Sequence, residues 1–429
     1  MPTACRHRRT RRSIRLHARS PEPSRRSQRA LDGFVFFVAD VLTGFGPFVA
    51  VYLTSERWTQ LDIGLVLTTG SLVALAAQMP GGALVDAARS ERLVAGLAIS
   101  LIGASALALA VWPIFPVVMA AAVLQAAAAC VLGPAIAAIS LGLVGHAGLG
   151  ERLGRNARFA SLGTGAAAIA MGASGYFLST RAVLFVTAAF VLPALVALSF
   201  IREEEIDPVT AHGGSAEQDA APHRRAVRLR SLVRRRALVV FAACVMLFQL
   251  ANAAMLPLMA SAVTTRASQW ATVLVAACIV VPQVVVAVMA PSVGRSAQRW
   301  GRRPLLLVGF AMVPVRGILF AAVTDPYWYV AVQLFDGITA SVFGVMVPLV
   351  VADVTRGTAR FNLSLGIVGT ATGIGASLST TLAGYVSDHL GSPVAFLGLA
   401  GIAAAGLALV WTLMPETRPA HQREARATP

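Results

Sequence analysis

Gly82-Ala83-Leu84-Val85-Asp86-Ala87-Ala88-Arg89-Ser90-Glu91-Arg92 is a short polar break between two long apolar runs. Gly294-Arg295-Ser296-Ala297-Gln298-Arg299-Trp300-Gly301-Arg302-Arg303 is a second such break, with Gln298 standing 212 positions after Asp86. The flanking runs read as membrane spans, because about 20 apolar residues cross a bilayer core as a helix. Around the first break, spans 1 to 6 fall at 31–54, 61–84, 93–112, 115–144, 158–179 and 181–201. Around the second, spans 7 to 12 fall at 237–262, 270–293, 303–323, 327–351, 361–386 and 392–414.

Composition agrees. The 429 residues are 56% hydrophobic and 13% charged, with a mean hydropathy of +0.71. A soluble domain carries about 25% charged residues, so this chain cannot supply the polar surface of a water-soluble protein. The 36 basic residues are all arginine and outnumber 20 acids, for a formal charge of +16. With the N-terminus inside, 32 arginines fall on cytoplasmic segments. Only Arg57, Arg181 and Arg266 fall on the other side, and Arg316 lies within a span. That split is a positive-inside signal rather than a nucleic-acid-binding face, and it puts both termini in the cytoplasm.

The expected organisation is a disordered Arg-rich tail at 1–30, a six-helix bundle at 31–201, a flexible linker at 202–236, a second bundle at 237–414 and a tail at 415–429. Two other readings of residues 1–30 stay open, an upstream extension from a misassigned start and a transit peptide. Cys130, Cys244 and Cys278 sit in apolar runs and read as core packing, and with Cys5 they show no paired or metal-type spacing. The fold class is therefore an all-α polytopic membrane protein of twelve spans in two pseudo-symmetric halves.

The halves share polar marks in order. Asp40 and Asn252 are 212 apart, Gln125 and Asp336 are 211 apart, and Ala157-Arg158-Phe159 recurs as Ala359-Arg360-Phe361. On these marks and the two quoted loops the chain resembles the major facilitator superfamily, whose signature reads G-x-L-A-D-R-x-G-R-R after helices 2 and 8. The first copy here keeps Gly82, Leu84 and Asp86 without the R-x-G-R portion, and the second keeps Arg299-Trp300-Gly301-Arg302-Arg303 with Gln298 in place of the acid. The resemblance implies two six-helix bundles rocking about a central site, with helices 1, 4, 7 and 10 lining it. It also implies a cytoplasmic gate at Gly82, Asp86, Arg89, Gln298, Arg299, Gly301, Arg302, Arg303 and Arg360. An Asp86 latch onto the start of span 11, where the helix carries partial positive charge, or onto Arg360 would hold that gate. The plainer reading leaves Asp86 and the arginines in solvent at a tight turn.

Polar groups at membrane depth each need a reason, because an ionisable group at the centre costs at least ~2.5–3.5 kcal/mol to insert. Asp40 lies about nine residues into span 1. Arg316 and Asp336 lie ~11 and ~14 Å below the outer ends of spans 9 and 10, at 1.5 Å per residue. They form either a structural ion pair or an exchange site for a proton or substrate. Gln125 on span 4, Gln249 and Asn252 on span 7, and Gln333 with Asp336 on span 10 complete a candidate polar path. Desolvation of the isolated Asp40 makes it the expected proton carrier. Trp58, Trp112, Trp270, Tyr327, Trp328 and Tyr329 fit an outer interfacial belt.

All seven histidines lie outside the span centres, and a chain without lysine has no P-loop, which argues against an intramembrane enzyme and an ATP-driven pump. The expected function is secondary transport of a small organic solute, proton-coupled, with efflux favoured over import of a polar metabolite. A channel or non-transporting receptor is the alternative of another class. The expected partners are a small-molecule substrate, a proton and the bilayer, without cofactor, metal or nucleic acid. The expected unit is a monomer in a bacterial inner membrane.

Overall fold

The computed structural model describes residues 23–43, 49, 52–214, 232, 235–266, 271–323 and 325–418. Among them every regular element is helical, and ten helices are long and apolar enough to cross a membrane. Span 1 is described from Arg25 to Thr43; spans 2 and 3 are Gln60–Ala87 and Glu91–Val111. Spans 4 and 5 are two helices that meet at Gly145 within Phe115–Phe177, and span 6 is Thr180–Ser199. Span 7 consists of Arg236–Asn252 and Met255–Arg266. Spans 8 to 12 are Ala271–Trp300, Arg303–Ala322, Pro326–Thr355, Phe361–Leu390 and Ser392–Leu413. Helix starts follow local chemistry: Thr59, Ser90 and Ser179 accept hydrogen bonds from free N–H groups of the first turn, and Asp325 does so just before Pro326.

Four local expectations are corrected. Residues 25–30 are the first turns of span 1 rather than disordered tail; Ser24 Oγ accepts from Ser27 N at 3.2 Å and starts the helix. The expected loop between spans 4 and 5 is helical, with Gly145 (φ 65, ψ 178) its single non-helical residue, a conformation glycine adopts at little cost. The two helices nevertheless double back there. Asn156 Nδ2 donates to Ser140 Oγ at 2.8 Å, whereas 16 residues of straight helix would span ~24 Å. Residues 202–214 are packed rather than flexible, with a 3-10 turn at Glu203–Glu205, a helical turn at Pro208–Ala211, and Ile206 and Ala211 buried. Span 7 is interrupted at Ala253 and Ala254, where Ser379 Oγ of span 11 accepts from the Ala254 N–H at 3.0 Å. Residues 1–22, 215–231, 233–234 and 419–429 of the expected tails and linker, with Trp270, lie outside the described residues.

Apolar side chains cover both the inside and the outside. Buried clusters fill each half, and the larger one, around Phe241, Phe248 and Phe310, reaches Leu141, Leu149 and Leu153 of the other half. Leu72, Leu97, Ile169, Val288 and Trp411 are exposed on the perimeter, which only a lipid surround makes favourable. Of the expected belt, Trp112, Tyr327 and Trp328 are exposed, whereas Tyr329 is buried, with its hydroxyl donating to Val323 O at 3.3 Å.

The duplication is written into the backbone packing. A Cβ on Gly82 would strike the Asn362 carbonyl of span 11; a Cβ on Gly294, 212 residues later, would strike the Gly150 carbonyl of span 5. Gly366 meets the Gln78 carbonyl and Gly154 meets the Ala290 carbonyl, again 212 apart on each side. Within the halves, Gly163 meets the Phe36 carbonyl as Gly375 meets that of Met246. Only residues without a Cβ let these backbones approach so closely.

Candidate functional site

Spans 1, 2, 4, 5, 10 and 11 enclose a cavity of about 410 Å³ between the halves. Val38, Pro134, Gly344 and Leu365 represent its apolar lining; Gln78 and Asn156 are its polar residues, and no charged side chain lines it. Asn156 is already committed, donating to Ser140 and accepting from Arg152 Nε at 2.8 Å. The Gln78 side chain makes no hydrogen bond to another described residue, which leaves its amide to the cavity. Sequence reasoning missed both. The signal for Gln78 was available: an amide in an apolar run, one turn before Gly82 on the same helical face.

None of the described side chains of the expected polar path lines that cavity. Three of them meet elsewhere. The Arg316 guanidinium on span 9 pairs with Asp336 of span 10, donates to Asn252 Oδ1 at the interruption of span 7, and lies 3.2–3.3 Å from Met255 Sδ. Arg316 is 4% exposed and Asp336 28%, so the pair is sealed on the arginine side and open on the carboxylate side. Gln333, one turn from Asp336, is 1% exposed, and its Oε1 has no hydrogen-bond partner among the described residues. Gln125 and Gln249 are half-buried. The side chain of Asp40 lies outside the described residues; its neighbours Val38 and Ala39 line the cavity.

At the arginine-rich end the two quoted loops bridge the halves. A helix leaves its first N–H groups without intrahelical partners. In span 11 the first three are all satisfied from outside the C-terminal half. Phe361 N donates to His212 O at 3.1 Å, Asn362 N to Asp86 Oδ1 at 3.1 Å and Leu363 N to Asp86 Oδ2 at 2.8 Å. Asn362 Nδ2 adds a bond to Asp86 Oδ1 at 2.9 Å. Asp86 thus meets the helix end and Asn362 rather than Arg360, whose Nε is buried without a partner among the described residues. Arg89 is exposed and in no ion pair among the described residues.

The second loop is wired differently. Gln298 Nε2 donates to Ala147 O of span 5 at 2.8 Å. Gly301, at φ 100, brings the N–H groups of Arg302 and Arg303 onto the Glu416 carboxylate at 2.9–3.1 Å, so this helix start is capped from beyond span 12. The buried Arg302 pairs with Asp353 at 2.8 Å, Arg303 bonds the Trp411 carbonyl, and the carbonyl of the exposed Arg299 accepts from Arg418 Nη1 at 3.2 Å.

Other partners at this end were not anticipated. Asp32 of span 1 pairs with both Arg152 and Arg155 of span 5. The linker's His212 places Nε2 3.0 Å from Glu91 Oε1 at the start of span 3, and neither atom has another partner among the described residues. Glu91 holds the His212 pKa above its ordinary value; burial opposes this, and the Asp86 charge and the Val85 carbonyl add to it.

Comparison with known proteins places this architecture. A family model for the Major Facilitator Superfamily matches residues 33–313 and 245–429. Relatives from two strains of Mycobacterium tuberculosis, each termed an uncharacterized MFS-type transporter, are 42% identical over 396 residues, covering 91% of this chain and 94% of theirs. The solved structure of the proton:xylose symporter XylE, bound to 6-bromo-6-deoxy-D-glucose, superposes with a TM-score of 0.68 at 12% identity, over 93% of this chain and 97% of that one. With an apolar perimeter, a backbone duplicated at a spacing of 212 residues and a cavity shared between the halves, the chain belongs to the major facilitator superfamily of membrane transporters.

Proposed function

We propose that this transporter exports a small, largely apolar organic solute across a bacterial inner membrane by proton-coupled alternating access. The observation that carries the reading is the cavity of about 410 Å³ walled by both halves. Its size is that of a drug-like ligand site, and its lining offers one free amide, Gln78, and no charge. A sugar-like or ionic solute would lose more hydrogen bonds to water than such a lining returns. An apolar solute enters a bilayer unaided, so a carrier for it is useful chiefly when it pumps outward.

In this reading the Asp86 contacts with span 11 and the 208–214 strap form the closed cytoplasmic gate, with the arginines of both loops on the cytoplasmic side. Glycine-mediated contacts at Gly82 and Gly294 let the halves seat and separate as rigid bodies. Asp40 carries the coupling proton, and the open carboxylate face of Asp336 offers a second exchange site.

The test uses purified protein in proteoliposomes. A thermal-stabilisation screen over apolar and weakly polar compounds identifies a solute, and counterflow of that solute is then measured. Counterflow driven by an imposed pH gradient, and loss of its pH dependence in Asp40→Asn, are expected. Unchanged pH dependence in that variant overturns the role of Asp40. Conductance without counterflow would make the protein a channel.

A further inference from the structure

Outside the transport path, the first turns of span 1 carry Arg25, Arg26 and Arg29 against the end of span 6. Below them runs an open trough of about 740 Å³ floored by Phe37, Pro193, Val196 and Phe200. All three arginines are exposed, and none is in an ion pair among the described residues. The Arg26 guanidinium lies 5.0 Å over the Phe200 ring, which holds it at the rim of the trough. Three cations at the start of a helix oppose its dipole, so the arrangement calls for an anion from elsewhere.

Of the protein's own acids at this corner, Glu203 pairs with Arg92, Glu205 and Asp32 are committed, and the exposed Glu204 is in no ion pair with these arginines among the described residues. Glu205 accepts from Ser24 N and Oγ at 3.0 and 2.9 Å and pairs with Arg202 at 3.6 Å. Asp32 is held by Arg152 and Arg155. Residues 1–22 contain seven arginines and one acid, Glu22, so that segment adds positive charge rather than neutralising it. The apolar floor indicates what the anion must bring with it: a trough of aromatic and aliphatic side chains at the membrane edge suits acyl chains, not a free ion.

We infer that an anionic phospholipid binds here, its phosphate on Arg25, Arg26 and Arg29 and an acyl chain along the trough between spans 1 and 6. The side is the one positive-inside placement assigns to the cytoplasm, where basic side chains at the surface attract anionic lipid.

The test is native mass spectrometry of the purified full chain in a neutral detergent, titrated with dioleoyl phosphatidylglycerol or dioleoyl phosphatidylcholine. Retention of the anionic lipid over the zwitterionic one is expected. The triple variant R25Q/R26Q/R29Q should retain it roughly a hundredfold more weakly, each arginine contributing about fivefold. Arg158→Gln, which removes another exposed arginine of the same end, should leave retention unchanged. Glycerol phosphate and inorganic phosphate should not displace the lipid, and deletion of residues 2–22 should not alter its binding. Equal retention of both lipids, an unaffected triple variant, displacement by either free phosphate, or lipid binding that emerges only after the deletion would each overturn the proposal. A triple variant that unfolds is replaced by Phe200→Ser with Val196→Ser, which should weaken the dioleoyl lipid and spare its short-chain dihexanoyl analogue; equal weakening of both overturns it too.

Discussion

The two corners where the halves meet share a backbone and differ in chemistry. At the span 2 and span 11 corner, Gly82 seats on the Asn362 carbonyl and Asp86, four residues on, takes up free N–H groups. At the span 8 and span 5 corner, Gly294 seats on the Gly150 carbonyl, but the residue four on is Gln298, and it donates to a carbonyl. The reason lies in the facing backbone. Spans 10 and 11 are separate helices joined through Gly357 at φ 75 and Ala359 at φ 52, so span 11 has a true N-terminus with unpaired N–H groups. Span 5 begins just past the break at Gly145, and there it is the Ala147 carbonyl of its first turn that faces Gln298. An acid stands where donors are free, and an amide donor stands where a carbonyl is offered. The duplicated steric fit was kept, while the polar contact followed the local backbone.

If the steric fit is common to both corners, a side chain at either glycine should produce the largest effect. Gly82→Val and Gly294→Val are each expected to disfavour the seated arrangement by about 3 kcal/mol, the upper end of ordinary overpacking, or roughly 150-fold in the gate equilibrium. Accessibility of a cysteine introduced at Gly344 in the cavity, measured from the cytoplasmic side, reads this out. A silent Gly294→Val would show that only one corner closes.

If the chemistry differs, the polar variants should be unequal. Asp86→Ala removes three hydrogen bonds to a charged acceptor and should weaken closure by at least ~2 kcal/mol, about 30-fold. Gln298→Ala removes one neutral bond and should change it by a few-fold at most. Gln298→Asp sharpens the contrast: it sets an anion against the Ala147 carbonyl and should be worse than alanine. Equal effects of Asp86→Ala and Gln298→Ala would dissolve the distinction between the corners.

The strap at the first corner predicts a smaller, pH-dependent effect. Because His212 has a raised pKa in the folded protein, its pairing with Glu91 is fully stabilising below the ordinary value of 6.5 and is lost as pH rises through the higher folded value. Thermal midpoints of the wild type should fall relative to His212→Gln as pH is raised across that window. Parallel profiles would remove His212 from the closed corner. The smallest effect is expected at Arg89, exposed and outside any ion pair among the described residues: Arg89→Ala should alter stability by no more than about 0.5 kcal/mol.

Sequence alone determined the spans, their duplication and the family, because bilayer thickness and the distribution of arginines leave few alternatives. It also drew attention to Asp86, Arg316 and Asp336, since isolated charges at or near membrane depth stand out against apolar runs. It did not reveal that Asp86 would meet the N–H groups of span 11 rather than Arg360, that His212 from a stretch read as flexible would share that helix end, or that Asn252 would join Arg316 at an interruption of span 7. Nor did it single out Gln78 and Asn156 as the polar lining of the cavity. These depend on which main-chain groups remain unpaired once helices end, and on which residues 64 or more positions apart are brought into contact. Hydropathy is a local property and survives in the sequence; hydrogen-bond partnership across two packed halves is settled only when they meet.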